Sequence, residues 1–105
     1  MPTLSSGKIK MQINYTVEAF SSLVRLINFI EQTNTEGAGL RWLDKFEIFI
    51  QVKLSAAVKI SLCNNLTFQK LNLKCIYYSD WVIAFSVSSD NVLIEALIHK
   101  SRIRD

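Results

Sequence analysis

The chain carries one histidine, His99, followed by Lys100, Arg102 and Arg104. Histidine changes charge near neutral pH and can move a proton, while neighbouring cations can hold an anion. Lys59, Lys70 and Lys74 are the other cations between Lys53 and the C-terminal cluster. A histidine delivered beside cations at a sheet edge invites an anionic partner. A plainer reading stands beside it: a lone histidine capping a strand, and a solvated basic rim. Gly7, Gly37 and Gly39 form no phosphate-binding loop. Cys63 and Cys75 form no CxxC pair and, with one histidine, no zinc set, so they read as two small buried hydrophobes. Neither a metal nor a cofactor is expected.

The element that must position His99 is a hairpin over residues 81–99. Trp81, Ile83, Phe85 and Val87 alternate with Val82, Ala84 and Ser86, and Ser88 to Asn91 supply a polar turn. Val92, Ile94, Ala96 and Ile98 then alternate with Leu93, Glu95, Leu97 and His99. That register puts Ile98 in the core and His99 on the opposite, open face, with Glu95 beside it as a charge partner.

Residues 8–15 alternate in the same way and predict a first strand with Ile9, Met11, Ile13 and Tyr15 inward. Thr16 is a good N-cap for a helix to about Gln32, whose apolar stripe is Val17, Phe20, Leu23, Val24, Ile27 and Ile30. A turn at residues 33–39 leads to a second helix from about Ala38 to Leu54, with Leu40, Leu43, Phe46, Ile50 and Leu54 as its stripe. Residues 55–68 fit either a helix extension or a short strand. Alternation returns from Lys70, with Leu71, Leu73, Cys75 and Tyr77 against Lys74, Ile76 and Tyr78. The predicted core is Ile13, Phe20, Leu23, Ile27, Leu43, Phe46, Ile50, Trp81, Ile83, Phe85, Ile94 and Ile98.

The chain has 105 residues, half of them hydrophobic and a fifth charged, with a net charge of +3. Those values predict one packed domain over residues 8–105, after a flexible arm at 1–7. Such a short chain leaves apolar surface exposed, which invites a partner or a homodimer. No apolar run reaches the ~18 residues of a membrane span, and residues 1–7 do not read as a signal peptide.

In order, these elements resemble the RelE/ParE superfamily of toxin–antitoxin toxins, and more its ParE branch. The resemblance spans residues 8–102. It is carried by the opening KIKMQINYTVEAFSSLVRLINFIE, by Trp81 and its hydrophobic run, by the Ser88-Ser89-Asp90 turn, and by His99 with Arg102. It implies an α+β fold, β-α-α-β-β-β, in which a small antiparallel sheet carries a helical hairpin on one face. It also implies a cytoplasmic toxin of a plasmid-stabilisation type, neutralised by a cognate antitoxin and acting on DNA gyrase. The alternatives are a RelE-like ribosome-dependent mRNA endonuclease, with ribosome-bound mRNA as its target, or a non-toxic member that only binds a partner. In the nuclease alternative the resemblance makes His99 the catalytic candidate, and it makes Lys59, Lys70, Lys74, Lys100 and Arg102 the candidates for contact with RNA or another target. RNA cleavage needs cations around a pentacoordinate phosphate and one general acid or base, and that pattern is thin here. The position that often carries an arginine in the third strand is Ser86, and no arginine lies between Arg41 and Arg102.

Overall fold

The structure is a computed structural model that describes residues 11–102. The expected arm at 1–7, together with Lys8, Lys10 and Arg104, lies outside the described residues. The described elements are β1 (Gln12–Tyr15), α1 (Val17–Thr33), α2 (Ala38–Leu54), α3 (Leu66–Lys70), β2 (Lys74–Tyr78), β3 (Trp81–Ser88) and β4 (Asn91–His99). Short 3₁₀ turns sit at Ala57–Lys59 and Lys100–Arg102. The fold class is α+β, with the helical hairpin on one face of the sheet, as the sequence predicts.

The sheet order is β1-β4-β3-β2. The β2–β3 and β3–β4 pairs are antiparallel, but β1 runs parallel to β4, so the sheet is mixed rather than wholly antiparallel. The two helices carry the chain across the sheet between β1 and β2. The first strand therefore enters at the far edge beside the last one, the geometry of a crossover connection.

Thr16 caps α1: its hydroxyl accepts from Ala19 N at 3.1 Å. The same hydroxyl donates to Glu95 O at 3.3 Å, tying the helix start to the middle of β4. The turn into α2 is held by Glu31, whose carboxylate accepts from Gly37 N at 2.8 Å and Gly39 N at 2.9 Å. Those two backbone donors, Gly37 first, hold the Glu31 carboxyl below its ordinary value, and Arg41 lowers it further. Gly37 takes a left-handed φ of 85° at the α2 N-cap. A Cβ on Gly39 would come within 2.8 Å of the Ile27 carbonyl oxygen, so this glycine sets how closely the two helices approach.

The main core joins Ala19, Leu23 and Leu26 of α1, Phe46, Ile50 and Leu54 of α2, and Ile76, Ile83, Phe85, Val92, Ile94 and Leu97 of the sheet. Trp42, Phe46 and Phe49 pack their rings around Tyr78, at centroid distances of 4.7–5.8 Å. Of the predicted core, Leu23, Phe46, Ile50, Ile83, Phe85 and Ile94 are buried, and Ile13, Ile27, Leu43 and Trp81 pack against the cluster. Phe20 is 56% exposed and Val17 81% exposed, so the stripe of α1 is turned toward Ala19 and Leu26. Leu40 is likewise exposed.

Two expectations for the hairpin change for one reason. Ala84 pairs with Ala96 and Phe85 with Ile94, which leaves Glu95 as an extra residue in β4. A bulge of this kind shifts the alternation by one residue. Val92 and Ile94 are buried before it, and Leu97 rather than Ile98 after it. His99 follows Leu97 onto the helix side of the sheet, not the open face.

The other face of the sheet is also covered. Residues 62–73 fold back over it, through a bridge from Leu62 to Lys74 and through α3. Asn65 caps α3 by accepting from Phe68 N at 3.0 Å. A second cluster forms there from Cys63, Leu73, Cys75, Val82 and Ala84, with Phe68 and Ala96 against it. Cys63 and Cys75 are buried, as expected, but they are joined in a disulfide rather than standing as two free thiols. The second strand therefore starts at Lys74 and not at Lys70. The short helix and the left-handed turn at Asn72, φ 64°, take up the preceding residues.

Candidate functional site

The antiparallel register sets Trp81 opposite His99, and their rings meet edge to face at 5.2 Å. Beside them α1 contributes Ser22, Arg25 and Leu26, and the 3₁₀ turn after β4 contributes Ser101 and Arg102. Together with Leu97 and Ile98 these residues line a cavity of about 510 Å³. Two arginines stand in this lining and no carboxylate, so the cavity favours an anion. Arg25 reaches Ser22 Oγ at 3.4 Å, and Arg102 is exposed. Guanidinium groups suit the planar, two-point recognition of a carboxylate or phosphate.

His99 is oriented by its own turn. Ser101 N donates to His99 Nδ1 at 3.2 Å, and Ser101 Oγ lies 2.9 Å from the same nitrogen. A backbone N–H can only donate, so Nδ1 accepts and the ring proton sits on Nε2. His99 therefore offers the cavity a hydrogen-bond donor beside two guanidinium groups.

The remaining candidates do not gather around it. The Lys74 ammonium donates to the carbonyl oxygens of Ala57 at 3.3 Å and Val58 at 2.7 Å. It pairs across the sheet with Phe85, on the helix side, so it is not on the open face either. Lys59 ends the 3₁₀ turn after α2 and Lys70 ends α3, both exposed. Lys100 lines a different cavity, beside the disulfide. Of the six residues named from sequence, the structure brings together only His99 and Arg102. Ser86, in the third strand, lies on the face opposite Phe85. Glu95 sits in the bulge, off the alternation that carries His99 to the helix side. Sequence reasoning missed Arg25 and Ser22 of α1, which nothing local in the sequence ties to the end of β4. The alternation assigns Trp81 to the core, while the structure also sets it in the cavity lining.

A second concave surface, of about 710 Å³, runs between edge strand β1 and α2. Ile13, Tyr15 and Ile50 lie in it, with Ile48 and Val52, and with Asp44, Glu47 and Gln51 among its polar lining. Burial pushes the Tyr15 hydroxyl above its ordinary value, and Glu47 adds to the effect. Exposed Val17, Phe20 and Val24 continue the apolar surface along α1. Among the described residues no group of three His, Cys, Asp or Glu side chains is placed to hold a metal ion. No helix of the described residues is long and apolar enough to cross a membrane.

Against known proteins, no family model matches the chain, and no curated protein matches it by sequence. Among solved structures, a chain of the chromosomal ParDE TA system from P. aeruginosa superposes with a TM-score of 0.63, over 86% of this chain and 96% of that one. The fold is that of a ParDE toxin–antitoxin chain. Sequence identity across the match is 11%, so the likeness lies in the backbone, not in shared side chains.

Proposed function

We propose that this protein is a ParE-like toxin of a type II toxin–antitoxin pair, a growth inhibitor that binds its target rather than cutting RNA. The observation that carries the reading is the dispersal of the would-be nuclease set on a ParDE-like fold. His99 and Lys74 are both on the helix side, at different ends of the sheet, and Lys74 is spent on the Ala57 and Val58 carbonyls. Lys59 and Lys70 stand apart from both, and the face opposite the helices is partly covered by residues 62–73. None of the lysines named for cleavage shares the cavity of His99, so a phosphodiester there would meet only Arg25 and Arg102. Binding makes fewer demands, and the Arg25, His99 and Arg102 cavity supplies an anion-seeking contact for it.

In this reading the target is DNA gyrase, the compartment is the cytoplasm, and the pair serves plasmid stabilisation. The antitoxin covers the apolar surface of Val17, Phe20 and Val24 and the groove beside β1, much as a helix lies in a groove. Charged contacts at the rim make its association rate sensitive to salt. A homodimer through the same apolar surface would compete with the antitoxin.

The test pairs two assays on the purified chain. Gyrase supercoiling should be inhibited, while primer extension on translated mRNA shows no new cuts. Cuts within ribosome-bound mRNA, with supercoiling untouched, would transfer the assignment to the endonuclease reading.

A further inference from the structure

The flap of residues 62–73 lies on small side chains. Beneath it are Val82, Ala84 and Ala96, and α3 itself contributes no fully buried residue. Leu62, Leu66 and Leu71 of the flap remain exposed. Apart from Phe68 and Leu73, what ties the flap to β2 is the Leu62–Lys74 bridge and one covalent link, while the bond from Cys63 N to Leu73 O at 3.0 Å joins the flap's own ends. That link, Cys63–Cys75, joins the start of the flap to β2 across 12 positions of sequence.

The link also borders a cavity. A cavity of about 200 Å³ is lined by both cysteines together with Asn64, Asn65, Phe68, Tyr77, Val82 and Lys100. Cys75 retains 9% exposure against 1% for Cys63.

We propose that Cys63–Cys75 is a redox modification site at which a small dithiol or a dithiol protein reductant releases the flap from the sheet. A thiolate of the reductant attacks Cys75 Sγ, the Sγ–Sγ bond breaks, and Cys63 leaves as a thiolate that takes up a proton. The reductant's second thiol then attacks the mixed disulfide and frees Cys75 as a thiol. The reductant is oxidised to its own disulfide, and the protein gains two electrons and two protons. Reduction uncovers Val82, Ala84 and Ala96, a small apolar face opposite the helical hairpin. Disulfides in a reducing cytoplasm are usually transient or redox-sensing, so the proposal is compatible with the compartment proposed above. It does not depend on the toxin reading.

The test uses the full chain purified in air, with dithiothreitol as the probe and trypsin as the reporter. Lys70 is exposed at the end of α3, inside the flap. Iodoacetamide should label no cysteine before dithiothreitol and both after it. Reduction should speed cleavage after Lys70 by roughly tenfold or more, because cutting follows the open population. The helical circular dichroism and the cleavage pattern elsewhere should stay unchanged. The Cys63→Ala/Cys75→Ala variant should be cut at the reduced rate with or without dithiothreitol. Free thiols in the air-purified chain, a Lys70 rate indifferent to dithiothreitol, or unfolding of the whole chain on reduction would each overturn the proposal.

Discussion

On one face of the sheet Ile83, Phe85 and Ile94 meet Phe46, Ile50 and Leu54 of α2, with α1 closing the side. On the other face Val82 and Ala84 meet Cys63, Leu73 and Phe68. The first contact is between large side chains on two 17-residue helices, one of them capped by Thr16 and the other held at its start by the Glu31 carboxylate. The second is between small side chains and a segment with one five-residue helix. Burial scales with the apolar area removed from water, so the helix side supplies most of the folding free energy. The flap side borrows a covalent bond instead. A disulfide closing a loop of this length stabilises by about 3 kcal/mol in the chain-entropy account.

Substitutions can break this contrast in order of expected effect. Phe46→Ala removes a fully buried ring from the helix side and should cost about 3–5 kcal/mol, read as a lowered midpoint in urea. Val82→Ala, on the flap side, should cost about 2 kcal/mol or less, because the loosely packed flap can settle into the gap. If Val82→Ala matched Phe46→Ala, the two faces would be energetically equal and the contrast would fail. Thr16→Ala removes the α1 cap and the link to Glu95 O, and should cost about 1 kcal/mol in the same assay.

The smallest effect sharpens the picture of the helix side through pH. The Glu31 carboxyl is held below its ordinary value by Gly37 and Gly39. A depressed carboxyl stabilises the fold above its unfolded value of 4.5, and that contribution fades as pH falls through the lower folded value. Glu31→Gln should therefore lower the melting temperature at pH 7, and the gap to the parent should narrow on acidification below 4.5. A gap that stayed constant with pH would assign the effect to something other than the carboxylate.

The two faces also differ in how far the sequence reveals them. The helix side is written in long periodic runs, and α2 is found where its pattern places it, Ala38–Leu54. Its errors are ones of phase. Val17 and Phe20 continue the stripe by spacing, but α1 turns Ala19 and Leu26 inward, a choice made by packing against β4. The bulge at Glu95 has no mark in a strand that alternates perfectly on paper, and it alone moves His99 to the other face. The flap is illegible because α3 is one short turn of helix and its order depends on a disulfide between segments 12 positions apart. The candidate site was half legible. Its β4 end could be named, while its α1 wall exists only once the hairpin docks.

The central claim, that this fold inhibits growth through an anion-seeking cavity, is tested most directly by charge reversal there. Arg25→Glu/Arg102→Glu changes two exposed side chains, and each such change usually alters stability by no more than about 0.5 kcal/mol. Growth is then followed on induction of the parent and of the double variant, with urea midpoints measured on both proteins. The account predicts that the parent arrests growth and that the variant, equally folded, does not. A variant as toxic as its parent, or a parent without effect on growth, would contradict it.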